Sequence, residues 1–131
     1  MELTDIKKTI LIIDDTADFR EIFSTKLTTV GYRVETAADG REGLKKISEL
    51  KPDLVLLDVK MPGMGGEEML AALRADPAIR FTKVIFTTSL GDPSDGTTDE
   101  VLAKKSGADG YIRKGEDLDA FVTLVTNYLA Q

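Results

Sequence analysis

The stretch TILIIDD, residues 9–15, runs from a short β-branched apolar segment directly into two adjacent aspartates. A short apolar run of this kind is typical of a strand that is buried on both faces of a sheet. Adjacent carboxylates repel each other and are costly to remove from water. Asp14 and Asp15 therefore stay in water, cap a helix, or share a partner that offsets their charge.

Strand-like and helix-like segments alternate along the whole chain. Five segments are predicted as strands, at residues 9–14, 32–37, 53–58, 83–88 and 109–114. Apolar residues at helical spacing predict a helix after each strand. The first helix has Phe19, Ile22, Phe23, Leu27 and Val30, the second has Leu44, Ile47 and Leu50, and the third (about residues 67–75) has Met69, Leu70 and Leu73. The fourth is the short segment VLAKKSG (101–107), and the last has Leu118, Phe121, Val122, Val125, Tyr128 and Leu129.

This alternation of strands and helices predicts an α/β fold. Buried strands joined by helices form a parallel sheet with right-handed crossovers and helices on both faces. Five such units predict a single doubly wound sheet with the flavodoxin-like strand order 2-1-3-4-5, which binds ligands at the carboxyl ends of its strands. We expect residues 1–131 to form this one domain.

Composition excludes several classes of function. The chain of 131 residues is 42% hydrophobic and 31% charged, which is typical of a globular domain, and its net charge of −6 argues against nucleic-acid binding. The absence of Cys and His excludes disulfides, thiol nucleophiles and Ser-His-Asp triads, and it limits metals to those with oxygen ligands. No apolar run approaches the ~20 residues of a membrane span, and MELTDIKK is unlike a secretory signal, so we expect a cytoplasmic location.

Polar residues follow the predicted strands at one edge of the sheet. Strands one and three are neighbours in the predicted order, ~4.8 Å apart, which brings Asp14, Asp15 and Asp58 together. Three carboxylates on a rigid edge suit Mg²⁺, and a bound cation would relieve their repulsion, so Mg²⁺ is expected to raise the melting temperature. Thr88 and Lys114 end strands four and five at the same edge, and they supply a hydroxyl donor and a positive charge that suit a phosphoryl group.

Each of these residues also has a simpler explanation. Asp14 or Asp15 would serve as a helix N-cap, and Asp58 would begin a turn. Thr88 would be an ordinary strand residue, and Lys114 a solvated charge. The simpler roles have to hold independently at four strand ends, whereas one phosphoryl and metal site explains all four, so we favour the shared site.

The segments ILIIDD, DLVLLDVKMPGMGG, VIFTTS and GADGYIRK occur in this order over nearly the whole chain. Together they resemble the receiver domain of two-component response regulators, of the chemotaxis type. The resemblance implies that Asp58 accepts a phosphoryl group from a sensor histidine kinase or a phosphotransfer protein. It also implies that Asp14, Asp15, Asp58 and the backbone carbonyl of Lys60 hold Mg²⁺, with Mn²⁺ as an alternative ion.

The same resemblance assigns the residues that change conformation when Asp58 is phosphorylated. It implies that Lys114 pairs with the phosphoryl oxygens, that Thr88 and the small residue Ser89 form the switch position, and that Tyr111 is the aromatic that turns on activation. Helix four, strand five and helix five then present the signal to a downstream effector or output domain. The family relation also admits a homodimer. From composition and charge we expect no membrane contact and no nucleic-acid contact by this domain, and we expect no enzyme activity beyond the chain's own phosphorylation and dephosphorylation.

The sequence departs from the family pattern at three places. Gly115 follows Lys114 where the family usually has proline, and a cis bond before a non-proline residue costs roughly 2.5–4 kcal/mol, so we predict a trans bond and a looser turn. GDPSDG, residues 91–96, predicts a longer loop after strand four. Lys60 and Leu90 flank the expected path of a hydrolytic water, and we hypothesise that they alter the lifetime of the phosphoryl group.

The sequence leaves three other functions open. A haloacid-dehalogenase-type phosphatase also uses an aspartyl nucleophile and Mg²⁺, but it needs a second acid at position 16, where Thr16 stands. A flavin-binding module needs a phosphate loop after strand one, where DDTADF is acidic. A receiver-like module that signals by protein contact without phosphorylation is the hardest to separate, and a phosphate adduct on Asp58 is what distinguishes it.

Overall fold

One parallel sheet organises the described part of the chain. The computed structural model describes residues 7–89, 99–115 and 117–131, so Leu90 and the predicted loop at 91–96 lie outside the described residues. The elements are β1 (Thr9–Ile13), α1 (Ala17–Val30), β2 (Arg33–Ala37), α2 (Gly40–Leu50), β3 (Leu54–Asp58), α3 (Gly66–Ala75), β4 (Val84–Thr88), α4 (Asp99–Ser106), β5 (Gly110–Arg113) and α5 (Leu118–Ala130). The sheet has the order β2-β1-β3-β4-β5, which confirms the predicted fold.

The position of each strand follows from its sequence pattern. Every residue of β3 and β4 is buried, as expected of continuous apolar runs in the middle of a parallel sheet. β2 carries Arg33 and Glu35 and is largely half-exposed, which suits its place at one edge. The strands are up to two residues shorter than predicted, so Asp14 and Lys114 lie just beyond the ends of β1 and β5.

Two hydrophobic cores cover the two faces of the sheet. Side chains alternate along each strand, so Leu11 and Ile13 of β1 face α2, α3 and α4, while Ile10 and Ile12 face α1 and α5. Both cores contain strand residues that are fully buried. The prediction of helices on both faces is therefore confirmed.

Four apolar residues that were predicted to face the core are exposed instead: Ile22, Val30, Leu50 and Leu118, at 50%, 47%, 40% and 38% of their surface. Ile22 lies on the flank of the buried stripe of α1, which is only one residue wide at each turn. The other three are the first or last residues of their helices, where the helix has fewer neighbours. The helical spacing of apolar residues does not by itself predict which of them lie beyond the sheet and stay exposed.

A glycine lets α3 begin directly against the end of β3. A Cβ atom on Gly66 would lie 2.3 Å from the carbonyl oxygen of Asp58 and 2.9 Å from the Cα of Val59. Both are backbone atoms, so they cannot move without moving the end of β3. The Gly66 N–H also donates to the carbonyl of Val59 at 2.9 Å, which fixes this close approach.

Gly66→Ala is therefore expected to lower the free energy of unfolding by about 1–3 kcal/mol, since the added methyl group has no room. The matched control is Gly65→Ala, whose Cβ would lie at an ordinary 3.6 Å from the carbonyl oxygen of Val59. Urea unfolding followed by circular dichroism measures both variants. Equal losses in the two variants would contradict this account of the close approach.

Candidate functional site

Three carboxylates lie together at the carboxyl ends of β1 and β3. Oxygen atoms of Asp14, Asp15 and Asp58 all lie within 4.8 Å of one another. The pairing of β1 with β3 brings them together, because Ile13 lies opposite Leu57, one residue before each buried aspartate. Asp14 is completely buried and Asp58 is 3% exposed, whereas Asp15 is open to solvent.

Both oxygens of the buried Asp14 carboxylate have partners. Its Oδ1 accepts a hydrogen bond from the backbone N–H of Thr16 at 2.8 Å, and its Oδ2 lies 2.7 Å from the Lys114 ammonium. The Arg20 guanidinium donates to the Asp14 backbone carbonyl at 2.8 Å. The N-cap residue of α1 is Thr16, so Asp14 is not the helix cap that its position after β1 also allowed.

The Lys114 ammonium sits among the carboxylates. Its Nζ lies 3.2 Å from Asp58 Oδ1, in addition to its contact with Asp14, and 4.8 Å from the centre of the Phe19 ring. The Lys114 backbone N–H donates to the carbonyl of Thr88 at 2.7 Å, which fastens the end of β5 to β4. Among the described residues no peptide bond is cis, so the bond to Gly115 is trans, as predicted.

Burial and charge shift the proton affinities at this site. Burial and, to a lesser extent, the negative charge of Asp14 raise the pKa of Asp58, and Lys114 lowers it; together they bring the pKa to about 6. Burial alone disfavours a charged Lys114, but its hydrogen bond to Asp14 and the charges of Asp14 and Asp58 raise its pKa above the ordinary value. The single positive charge of Lys114 thus offsets only part of the negative charge of the two buried carboxylates.

This donor set fits a hard divalent cation. The oxygens belong to one edge of the sheet and are close enough to share one ion. The pKa of Asp58 is raised by burial first and by the charge of Asp14 second, and Lys114 does not fully offset the two. Lys60 lies in the loop after β3 with its side chain exposed. Its carbonyl as a further ligand, and its side chain as a kinetic determinant, stay predictions.

Two buried hydroxyls lie at the end of β4. Among the described residues neither Thr87 Oγ1 nor Thr88 Oγ1 has a hydrogen-bond partner, although both residues are at most 4% exposed. Thr87 lies opposite Asp58, whereas Thr88, by the alternation of the strand, shares its face with Phe86. A buried hydroxyl without a partner is uncommon, and a bound group that accepts its hydrogen bond would satisfy it.

The face that carries Thr88 also carries the predicted aromatic residue. Tyr111 lies opposite Phe86 in the pairing of β4 with β5, and it packs half-buried against the same core. Ser89, next to Thr88, is exposed. The structure therefore brings together Asp14, Asp15, Asp58 and Lys114, with Thr88 at the end of β4, whereas Tyr111 lies in the first half of β5.

Two of the contacts in this site could not be predicted from the sequence. Phe19 was assigned only to the core, and Arg20 was not singled out, yet the first faces the Lys114 ammonium and the second holds the backbone of Asp14. Both residues lie near the start of α1, directly after the acidic pair. Charged or aromatic residues at such positions are common on any helix, so spacing alone does not distinguish them.

The fold and the site define a class of protein: an α/β domain of flavodoxin topology with an acidic cluster and a lysine at the carboxyl edge of its sheet. Residues 10–126 match the family described as the response regulator receiver domain. The chain belongs to this family.

Three known proteins are similar to this chain in sequence, in fold or in both. The DNA-binding response regulator MtrA of Mycobacterium tuberculosis (strain H37Rv) is 38% identical over 109 residues, which cover 83% of this chain and 45% of MtrA. The chemotaxis protein CheY4 of Vibrio cholerae has a TM-score of 0.82 at 31% identity, over 94% of this chain and 99% of that one. A CheY-like receiver domain protein of Methanospirillum hungatei has a TM-score of 0.79 at 32% identity, over 95% of each chain.

The chain spans less than half the length of MtrA, so the family membership concerns the receiver domain and not a whole regulator. In the residues that the structure describes, no helix is both long enough and apolar enough to cross a membrane.

Proposed function

We propose that residues 1–131 form a phosphoacceptor receiver domain, in which Asp58 takes a phosphoryl group from a phosphohistidine of a sensor kinase or phosphotransfer protein. The observation that carries this proposal is the placement of the Lys114 ammonium 3.2 Å from the Asp58 carboxylate, inside a cluster that Asp14 and Asp15 complete. A nucleophile, a cation for the phosphoryl oxygens and a set of metal ligands are the parts that phosphoryl transfer requires.

The residues of this chain have separate roles in the transfer. An oxygen of Asp58 forms the new bond to phosphorus while the bond from phosphorus to the donor nitrogen breaks, and the nitrogen leaves with its electron pair. Lys114 stays protonated and pairs with the phosphoryl oxygens. When bound by Asp14, Asp15, Asp58 and the Lys60 carbonyl, Mg²⁺ (or Mn²⁺) would neutralise charge on the same oxygens.

The proposed switch links the new phosphoryl group to the surface. Thr88 would donate its unpartnered hydroxyl to a phosphoryl oxygen, with the small Ser89 beside it, and Tyr111 would turn into the space that Thr88 leaves. The surface formed by α4, β5 and α5 would then change its contacts with an effector or output domain, or with a second copy of the chain. This is a local charge event that biases a two-state element.

Membership of the receiver family also helps to choose among the competing functions. The phosphatase reading needs an acid at position 16, and Thr16 occupies that place as the N-cap of α1. Receiver membership favours neither a phosphatase nor a flavin-binding module. Lys60 and Leu90 are further proposed to set the phosphoryl lifetime, which a changed dephosphorylation rate in Lys60→Ala or Leu90→Ala would reveal.

Incubation with Mg²⁺ and a small acyl phosphate, followed by intact-protein mass spectrometry, tests the proposal. We expect the wild-type protein to gain one phosphoryl group, and a chelator to prevent the gain. Asp58→Asn removes the nucleophile and is expected to show no adduct, whereas Asp18→Asn, an exposed acid in the first turn of α1, should keep it. No adduct on the wild-type chain from any donor would support signalling by contact alone, and steady hydrolysis of a phosphate monoester would support the phosphatase.

A further inference from the structure

An aromatic ring forms one wall around the Lys114 ammonium. The Phe19 ring centre lies 4.8 Å from Lys114 Nζ, within the ~6 Å over which a ring face attracts a cation. Phe19 is only 8% exposed, so this contact is largely shielded from water. The ammonium is thus bounded by two carboxylates, Asp14 and Asp58, and by one ring.

Two further rings hold Phe19 in place. Phe23, one turn later on α1, stacks on it with ring centres 4.3 Å apart, and Phe121 of α5 contacts it edge to face at 6.1 Å. Phe23 and Phe121 also contact each other at 4.4 Å. Because each ring is packed by the others, the face that Phe19 offers to Lys114 is fixed by the core.

The backbone beside Lys114 supplies little restraint of this kind. Gly115 follows it, and among the described residues, apart from its chain neighbours, nothing lies within 4 Å of the place where a Cβ on Gly115 would stand. A lysine stem has several rotatable bonds, and fixing them costs conformational entropy. The direction of the ammonium is therefore set by its contacts with Asp14, Asp58 and Phe19.

These three contacts differ in what happens to them during phosphoryl transfer. Asp58 would become an acyl phosphate, and the Asp14 carboxylate would share its charge with a metal ion. The Phe19 ring is the contact that keeps the same charge and the same bonding throughout. It is also tied to the core and not to the reacting groups.

We propose that Phe19 is a positioning residue for phosphoryl transfer, whose ring face holds the Lys114 ammonium beside Asp58 through a cation–π contact. This role rests on the proposed function. In the tested step an Asp58 oxygen bonds to phosphorus, the bond between phosphorus and the acyl oxygen of the donor breaks, and the carboxylate leaves with that electron pair. Lys114 neither gains nor loses a proton.

Site-specific replacement of Phe19 by mono-, di- and trifluorinated phenylalanine in the full chain tests the contact. Fluorine weakens the negative potential of the ring face while it keeps the ring's size and packing. We expect the rate constant for adduct formation with acyl phosphate and Mg²⁺ to fall stepwise, by about 3- to 10-fold over the series. The melting temperature should change little along the series.

Conventional variants provide a matched control. Phe23→Leu removes a ring from the same stack, at 7% exposure, but the ring that faces the Lys114 ammonium is that of Phe19. Phe19→Leu and Phe23→Leu should lower the melting temperature by similar amounts, yet only Phe19→Leu should slow adduct formation. Phe19→Tyr keeps a ring face and should retain most of the rate.

A second readout needs neither metal nor phosphoryl donor. A ring face shields nearby protons, so the Lys114 side-chain signals of the metal-free protein should lie upfield of those of exposed lysines. The shift should persist in Phe23→Leu and vanish in Phe19→Leu.

The outcomes separate the two proposals. No adduct on the wild-type chain overturns the proposed function, and the transfer role of Phe19 with it. An adduct whose rate is unaffected by fluorination, or which Phe23→Leu slows as much as Phe19→Leu does, overturns the role of Phe19 alone. Absence of the upfield shift in the wild-type protein likewise overturns it.

Discussion

Lys114→Met is expected to lower the free energy of unfolding of the metal-free protein by roughly 3–5 kcal/mol at pH 8. Lys114 contacts both buried carboxylates, at 2.7 Å from Asp14 and 3.2 Å from Asp58. Methionine fills a similar volume but leaves two negative charges buried and facing each other without a cation. Removal of one partner from a buried ion cluster leaves uncompensated charge, which costs far more than the loss of a surface pair.

Urea unfolding followed by circular dichroism measures this loss. Lys104→Met is the matched control, because Lys104 pairs with Glu100 on the exposed face of α4, and we expect a change of at most about 0.5 kcal/mol there. The double variant Lys114→Met/Asp58→Asn should recover much of the stability, since only one buried charge remains. A loss for Lys114→Met no larger than that for Lys104→Met would show that the ammonium is not what holds the carboxylates together.

Asp58→Asn is expected to stabilise the metal-free protein above pH 7 by up to about 3 kcal/mol. Burial and the charge of Asp14 raise the pKa of Asp58 from 3.8 to about 6 in the folded chain. The folded state therefore binds more protons than the unfolded state between these values. The contribution of Asp58 to stability is present below pH 3.8 and is lost as the pH rises through about 6.

Free energies of unfolding measured from pH 4 to pH 8 without metal test this prediction. The wild-type curve should fall across this range relative to the Asp58→Asn curve, and the two should approach each other at the acidic end. Mg²⁺ at about 100 times its dissociation constant should stabilise the wild-type protein by about 2.7 kcal/mol and the variant by less. Parallel curves at all pH values would mean that the Asp58 carboxylate is not destabilised in the metal-free fold.

Much of the fold is encoded in local patterns. The continuous apolar runs TILII and LVLLD predict central strands, and the more polar RVETA predicts an edge strand, which is where the structure places them. The strand order follows from the βαβ alternation and the handedness of its crossovers. Because that order makes β1 and β3 neighbours, the grouping of Asp14, Asp15 and Asp58 could also be predicted.

The contacts that could not be predicted from the sequence are those that depend on the direction of a side chain. The stem of Lys114 can point in many directions, so its contact with Asp14 and with the Phe19 ring emerges only from the packing of α1 and α5. Gly65 and Gly66 are adjacent glycines in the sequence, yet only a Cβ on Gly66 would collide with the backbone of Asp58. The exposure of Val30 depends on where the sheet ends, which is a property of the whole fold.

Asp58 is the residue proposed to carry the phosphoryl group. Borohydride reduces an aspartyl phosphate to homoserine, so treatment of the phosphorylated chain, followed by peptide mass spectrometry, identifies the modified position. We expect homoserine at position 58 after incubation with acyl phosphate and Mg²⁺, and at no position when the donor is omitted. Homoserine at position 14 or 15, or an adduct that is not an acyl phosphate, would contradict it.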